Sequence, residues 1–142
     1  MLKVVYYAKN SGQTMEFGQF VAANYKSEWL ANKEIQESFE SPIDYYARLY
    51  DTVTLFDRDE WYIRDGDKII GLVCVTAFDD VHYDRVAGAT LLWVLPEYRG
   101  NKRVAKFILD SLRASAVFSD SNYYVRTSKV TPFITKQSVR RV

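Results

Sequence analysis

The chain has 142 residues, of which 48% are hydrophobic and 15% aromatic, and its formal net charge is +1. We expect one domain over 1–142 with a sizeable core, because this length and composition argue against disorder. No apolar run approaches the roughly 18–20 residues of a membrane-spanning helix, and Cys74, the single cysteine, excludes an internal disulfide and a cysteine-based zinc site. We therefore expect a cytoplasmic protein with no membrane association and no bound metal.

The N-terminal third predicts one strand and two helices. Residues 2–8 form a mostly apolar run that predicts a strand. Apolar residues then recur at a spacing near 3.6, which is typical of one face of a helix. The residues on that face are Phe17, Phe20, Val21, Tyr25 and Trp29. A second helix is indicated by Ser41 as N-cap and Pro42 at the first helical position. Its predicted apolar face consists of Ile43, Tyr46, Ala47 and Tyr50.

The middle of the chain predicts a meander of three antiparallel strands. Residues 60–64 and 68–78 flank Asp65-Gly66, which is a hairpin turn signal. A polar loop over 79–85 separates them from a third strand over 86–95.

The C-terminal part predicts a helix over 103–116, a strand over 123–129 and a last helix over 132–141, which the pair Thr131-Pro132 would start. A strand, helix and strand in this order form a right-handed parallel crossover. The predicted fold class is therefore α/β, with a mixed, mainly antiparallel sheet, one parallel βαβ crossover and helices on both faces.

Charge is unevenly distributed along the chain. Residues 1–98 hold nine Lys or Arg and sixteen Asp or Glu, whereas residues 99–142 hold ten and two. This asymmetry favours an anionic partner for the basic part, although a surface that is mixed in three dimensions would also produce it.

The segment 91–112 is the most informative part of the sequence. An apolar strand is broken by Pro-Glu-Tyr-Arg-Gly, and a basic turn then opens an amphipathic helix. The first backbone N–H groups of a helix lack internal partners, and the helix dipole adds about half a positive charge there. With Arg99, Lys102 and Arg103 around that end, the segment predicts a phosphate or pyrophosphate site. The Walker and Gly-x-Gly-x-x-Gly patterns are missing from the sequence.

The chain resembles the GNAT superfamily of acyl-CoA-dependent N-acetyltransferases in its order of elements and in two segments. These are Trp93-Val94-Leu95-Pro96-Glu97-Tyr98-Arg99-Gly100 and Val104-Ala105-Lys106-Phe107-Ile108-Leu109. In that family an apolar strand ends in Val-x-Pro-x-x-Arg, and a Gln/Arg-x-x-Gly-x-Gly/Ala turn wraps the CoA pyrophosphate at a helix start. The resemblance implies a GNAT-like fold, acetyl-CoA as co-substrate and the amine of a small molecule, peptide or protein as acceptor.

The resemblance also implies which residues would hold the cofactor. Residues 92–95 would pair with the pantetheine arm, a backbone N–H within 92–94 would hold the thioester oxygen, and the turn over 99–105 would hold the pyrophosphate. The implied cofactor-binding residues are Leu92, Trp93, Val94, Leu95, Arg99, Gly100, Asn101, Lys102, Arg103, Val104 and Ala105.

The turn departs from the family pattern. Counted from Arg99, Lys102 and Val104 stand where glycines are expected. When the helix is matched instead, Arg103 replaces the first glycine and Ala105 takes the final small position. A longer turn could hold phosphate through Lys102 and Arg103, and the alternative is a turn that has lost CoA.

Catalytic residues are not identified by the sequence. Residues 88–94 contain no carboxylate that could act as a general base, and Glu97 is predicted to be a surface residue. The polar residues before strand 86–95 are predicted to lie in a solvated loop at its opposite end, and a substrate-side role is the alternative. These residues are Asp79, Asp80, His82 and Tyr83.

The sequence also does not identify the general acid that would protonate the leaving thiolate. Family members often place a tyrosine after the last parallel strand, but residues 127–142 contain none. Of Tyr123 and Tyr124, one is predicted to lie in the core while the other could line the cleft, and Ser128 or water could replace them.

Two functions therefore remain open. The first is an N-acetyltransferase, and the second is a catalytically inactive GNAT-fold binding or assembly module, which the missing glycines, carboxylate and tyrosine favour. Nucleic acid is not expected as a partner, because the basic residues form no dense run and no reading motif. The family usually continues beyond the point where this sequence ends, so an exposed sheet edge and pairing with a second copy are expected.

Overall fold

The computed structural model describes residues 1–131 and 134–142, and for residues 129–131 it describes the backbone alone. The elements in chain order are β1 (Leu2–Lys9), α1 (Gly18–Ala31), α2 (Lys33–Ser38), α3 (Pro42–Thr54), β2 (Arg58–Asp65), β3 (Lys68–Asp80), β4 (Asp84–Val94), a 3-10 turn (Pro96–Tyr98), α4 (Lys102–Phe118), β5 (Tyr123–Thr131) and β6 (Ile134–Arg141). Among these helices there is none with the length and apolar character needed to cross a membrane.

The six strands form one sheet in which their spatial order follows the sequence. Every neighbouring pair is antiparallel except β4 and β5, which are parallel and are connected by α4. This confirms the predicted mixed, mainly antiparallel sheet with one parallel crossover. The predicted loop over 79–85 is shorter than expected, because β3 and β4 continue to Asp80 and from Asp84.

Helices cover both faces of the sheet, as predicted. Tyr62 and Leu72 lie in one core cluster with residues of α1 and α3. Trp61 and Val73 alternate with them and contact α4 on the other face. The indole N–H of Trp61 donates to Ser115 Oγ of α4 at 2.8 Å, which ties that helix to the middle of the sheet.

The start of α3 is confirmed, but only Tyr46 and Tyr50 of its predicted apolar face pack against the core. Ser41 Oγ accepts a hydrogen bond from the backbone N–H of Asp44 at 3.2 Å. Ile43 and Ala47 are exposed, because the stripe that packs lies further along the helix. That stripe consists of Tyr46, Leu49, Tyr50 and Val53.

The predicted last helix is wrong. Residues 134–141 form strand β6, which pairs with β5 from Tyr123↔Arg141 to Thr131↔Ile134. Pro132 and Phe133, which the predicted helix included, lie outside the described residues. The segment has no wide apolar stripe to bury as a helix, whereas pairing with β5 gives its backbone groups partners. The outer strands are therefore β1 and β6, and self-association through such an edge stays a prediction.

A buried ion pair holds the connection between β1 and α1. Arg58 Nε lies 2.7 Å from Glu60 Oε2, and both side chains are fully buried. Glu60 Oε1 accepts from Tyr62 Oη at 2.6 Å and from the backbone N–H of Glu16 at 2.9 Å. Arg58 also donates to the carbonyl of Gln13 at 2.8 Å. The connecting loop is thus anchored to β2 by side chains that water does not reach.

Candidate functional site

A wedge opens between the two parallel strands. Strands β4 and β5 pair only at Val86↔Tyr123 and Ala87↔Tyr124. Beyond these pairs β5 continues along β6, and within the described residues 88–94 of β4 have no partner on that side. We call the gap between residues 88–94 and 125–131 the wedge. Its β4 wall has backbone groups that no neighbouring strand uses.

The direction of the β4 backbone decides which groups face the wedge. The N–H of Leu95 donates to the carbonyl of Ile70 at 2.9 Å, on the β3 side. Because alternate residues of a strand direct their backbone groups to opposite sides, Trp93 also faces β3, whereas Leu92 and Val94 face the wedge. The side chains of Trp93 and Leu95 are 5% and 8% exposed and belong to the core. Of the four residues predicted to pair with pantetheine, two thus have backbone groups directed into the wedge.

A β-bulge interrupts β4 inside the wedge. Cys74 pairs with Leu91 and the next residue, Val75, pairs with Ala89, so Thr90 is an extra residue. Thr90 Oγ1 donates to the carbonyl of Cys74 at 3.3 Å. Bulges change the direction of a strand locally, and they often occur beside functional sites.

The predicted phosphate turn begins α4, but its first amides are already bonded. Gly100 has φ +84°, a left-handed conformation that side chains disfavour. Asn101 is the N-cap, and its Oδ1 accepts from the backbone N–H of Arg103 at 2.9 Å and of Val104 at 3.2 Å. Sequence reasoning missed this cap, although Asn directly before a helix is a strong N-cap signal.

The side chains at the expected glycine positions do not all obstruct the turn. Val104 is 3% exposed and packs in the core, so its side chain does not lie on the outer surface of the turn. Lys102, Arg103 and Ala105 are exposed. Within residues 1–131 and 134–142, neither Lys102 nor Arg103 has a side-chain hydrogen bond or ion pair. These two cations are therefore available to an anion.

Arg99, by contrast, is already bonded to other residues of the protein. Its Nε donates to the carbonyl of Val94 at 2.8 Å, and its Nη2 lies 3.0 Å from Glu28 Oε2 of α1. The guanidinium thus connects the turn to the end of β4 and to α1. The structure brings Arg99 to the predicted turn, but its contacts are those of a residue that positions the turn.

The 3-10 turn before α4 is anchored to the β2–β3 hairpin. Tyr98 Oη donates to Asp65 Oδ2 at 2.7 Å, and the N-terminal amino group lies 3.2 Å from Asp65 Oδ1. The hydrogen bond from Tyr98 and the nearby amino group lower the pKa of Asp65. Glu97 is exposed, as predicted, and lies 3.5 Å from Lys68 Nζ. These contacts fix the turn at the mouth of the wedge.

The two candidate general acids, Tyr123 and Tyr124, lie at the closed end of the wedge. Tyr124 is 3% exposed and contacts α4, so it is the core residue of the pair. Tyr123 is half-buried and its ring centroid lies 5.3 Å from that of Tyr83. His82 and Tyr83 lie in the turn between β3 and β4, at the end of the strand remote from the phosphate turn. None of these contacts assigns a catalytic role.

A separate cavity of about 480 Å³ lies at the end of α4 remote from the turn. Its lining includes Tyr6, Asp59, Arg85, Phe118 and Ser119. It does not include a residue of the predicted turn, so it is distinct from the wedge.

Solved structures of N-acetyltransferases have the same architecture as this chain. A ribosomal-protein-alanine N-acetyltransferase from Brucella melitensis biovar Abortus 2308 matches with a TM-score of 0.60 and 13% identity, over 93% of this chain and 83% of that chain. A GCN5-related N-acetyltransferase from Ralstonia eutropha JMP134 matches with a TM-score of 0.56 and 10% identity, over 88% and 82%. The chain has the GNAT fold.

A third GNAT neighbour was solved with a cofactor. This predicted acetyltransferase with acetyl-CoA, from Clostridium acetobutylicum, matches with a TM-score of 0.56 and 16% identity, over 87% of this chain and 79% of that chain. No protein-family model and no curated protein matches the chain. Identities this low establish the GNAT fold alone.

Proposed function

We propose that the chain binds acetyl-CoA and transfers the acetyl group to the amine of a small molecule, peptide or protein in the cytoplasm. The observation that carries this proposal is the wedge, which leads along open backbone groups of β4 to two exposed cations at the start of α4. A long, thin cofactor with amides at one end and phosphates at the other fits this order of groups.

The β4 wall suits the pantetheine arm in length and chemistry. Seven residues over 88–94 extend about 20 Å at the usual rise of a strand. The arm contains two amides, which need hydrogen-bond partners when they leave water. Leu92 would supply its C=O to them and Val94 both its N–H and its C=O, and the carbonyl of Val94 would exchange its present bond to Arg99.

The turn would hold the pyrophosphate mainly through side chains. Lys102 and Arg103 are exposed and unpaired among the described residues, and the helix dipole adds positive potential beside them. The amides of Arg103 and Val104 would contribute only if Asn101 gives up its hydrogen bonds to them.

The chemical step needs little from side chains. The amine nitrogen attacks the thioester carbonyl, the C–N bond forms, the C–S bond breaks, and the CoA sulfur leaves as thiolate and takes a proton. A backbone N–H directed into the wedge, such as that of Leu92, would stabilise the developing oxyanion. Because residues 88–94 carry no titratable side chain, we propose that the amine reacts as the free base and releases its proton to water.

Calorimetric titration with CoA tests the proposal. The double variant Lys102→Gln and Arg103→Gln should lower affinity by about tenfold, since exposed phosphate contacts contribute roughly 1 kcal/mol or less each. Lys106→Gln is the matched control, because Lys106 lies on the same helix but is paired with Asp110 at 2.6 Å. Failure of the wild-type protein to bind millimolar CoA would reject the site and the transferase together.

A non-catalytic GNAT-fold binding module is the second candidate. It is favoured by the lack of a titratable side chain over 88–94 and by the amides that Asn101 already caps. CoA binding without thiol release from acetyl-CoA, across a panel of amines, would select this alternative.

A further inference from the structure

The ribbon formed by β5 and β6 carries three cations on one face. Its register places Tyr124 opposite Arg140, Arg126 opposite Ser138, and Ser128 opposite Lys136. Because alternate residues share a face, Arg126, Lys136 and Arg140 lie on the same side. Arg126 is a diagonal neighbour of each of the other two, at a typical spacing of about 7–8 Å.

This face continues the side of the sheet that α4 covers. Tyr124 is buried against α4, and Arg113 Cζ lies 5.7 Å from the centre of its ring. From Tyr124 to Ser128 the strand advances about 13 Å, which corresponds to about nine helical residues. Helix α4 runs antiparallel to β5 and Arg113 lies beside Tyr124. Nine residues before Arg113 is Val104, in the first turn of α4. This count of residues places Lys136, opposite Ser128, at the level of the phosphate turn along the direction of the strands.

The ribbon cations have no anionic partner among the residues that the structure describes. Among the described residues, Arg126, Lys136 and Arg140 make no ion pair and no side-chain hydrogen bond. Residues 99–142 contain two carboxylates, Asp110 and Asp120, and Asp110 is paired with Lys106. Like charges on neighbouring strands repel one another, so this arrangement is unfavourable until an anion binds.

We propose that Arg126 and Lys136 bind the 3′-phosphate of CoA, opposite the turn that would hold its pyrophosphate. This inference rests on the proposed function. The mouth of the wedge lies between the end of β4, which leads into the start of α4, and the ribbon, and CoA would present two separate phosphate groups there. Lys102 and Arg103 serve one group, and the ribbon cations face the other across the gap. Arg140, which lies nearer the closed end, contributes only through its charge.

Dephospho-CoA, which lacks only the 3′-phosphate, isolates this contact. We expect the wild-type protein to bind CoA about tenfold more tightly than dephospho-CoA in a calorimetric titration. The double variant Arg126→Gln and Lys136→Gln should lose this preference and keep its affinity for dephospho-CoA within about twofold. Arg141→Gln is the matched control, because Arg141 lies on β6 opposite Tyr123 and therefore on the other face. Raised salt should reduce the preference of the wild-type protein.

Each other outcome overturns the inference in a recognisable way. Equal wild-type affinity for the two ligands, or a preference that survives in the double variant, removes the ribbon site but leaves CoA binding intact. If the double variant loses affinity for CoA and dephospho-CoA equally, the cations contact the pyrophosphate or stabilise the fold. A lowered urea unfolding midpoint would indicate the second of these roles. If the wild-type protein binds a short RNA or DNA duplex and the double variant does not, while both bind CoA equally, the face is a nucleic-acid surface. No wild-type binding of CoA rejects this inference together with the proposed function.

Discussion

The side chain of Asn101 accepts a hydrogen bond from the backbone N–H of Val104, and this amide is one that a phosphate at the start of α4 would use. The same oxygen accepts from the N–H of Arg103. The N-cap and the cofactor thus compete for the same donors, because a backbone N–H gives one strong hydrogen bond at a time. The affinity of the turn for an anion therefore depends on the free energy needed to break the hydrogen bonds that the Asn101 side chain accepts.

Asn101→Gly should therefore tighten CoA binding. Glycine is tolerated at an N-cap at a cost of a few tenths of a kcal/mol, and it leaves both amides to the phosphate. We expect a three- to tenfold higher affinity by calorimetry, which corresponds to about 1 kcal/mol for hydrogen bonds that no longer need to be exchanged. Asn101→Asp is the control, since it keeps the cap but adds a negative charge and should weaken binding. Weaker binding by the glycine variant would mean that the Asn101 side chain itself contacts the cofactor.

The sequence was informative where local signals and tertiary packing agree. The segment 91–112 predicts a strand, a turn and a helix, and these are found because its apolar spacing and its breaking residues act locally. The wedge could not be predicted, since where two parallel strands separate depends on the twist of the whole sheet. Residues 134–141 were assigned to the wrong element because Thr131-Pro132 resembles a helix start, whereas pairing with β5 decides their conformation.

Part of the candidate site was also within reach of sequence reasoning. The sequence predicts Lys102 and Arg103 at the turn, and both side chains are exposed there. The role of Arg99 was not predictable, because its partners Glu28 and Val94 depend on how α1 packs beside the end of β4. The burial of Val104 could be predicted, because the spacing of the apolar residues in α4 indicates which side of the helix faces the core.

Removal of the Glu60 carboxylate should strongly destabilise the protein. Glu60→Ala would leave the Arg58 guanidinium buried without a counter-charge and the hydroxyl of Tyr62 without its acceptor. Breaking a buried pair in this way typically costs about 3–5 kcal/mol of unfolding free energy. Urea denaturation followed by tryptophan fluorescence measures it.

An exposed ion pair between the end of β2 and the hairpin turn that follows it serves as a control. Arg64 and Asp67 lie 3.3 Å apart, and the Asp67 side chain is fully exposed. Asp67→Asn should change the free energy of unfolding by less than about 1 kcal/mol. If the Glu60 and Asp67 variants lose similar stability, the buried pair is not what anchors the loop between β1 and α1.

The protein should lose stability between about pH 10 and pH 12. Burial and a 2.8 Å hydrogen bond to Asp59 raise the pKa of Tyr6 to about 12. Burial and the charge of Glu28 raise the pKa of Tyr45 to about 12 as well. Because the folded-state pKa values exceed those of the unfolded chain, this contribution is complete below about pH 10 and is lost as the pH rises toward 12.

Urea unfolding midpoints across this range, with tyrosinate absorbance recorded in parallel, measure the alkaline effect. Tyr45→Phe should flatten the decline, since the variant has one less hydroxyl that must ionise on unfolding. A midpoint that stays constant from about pH 9.5 to pH 11.5 would contradict the raised pKa values.

If the chain is an acetyltransferase, its pH–rate profile should follow the acceptor. The strand that would hold the thioester has no titratable side chain over 88–94, so no residue there can take the proton of an ammonium group. The rising limb of kcat/KM should then fall at the pKa of each amine, because only the free base attacks. Two amines whose pKa values differ by about two units would give limbs displaced by the same amount. A limb that keeps one position for every acceptor would instead reveal a general base supplied by another element, and the half-exposed Glu28 beside Arg99 would be the first residue to replace with Gln.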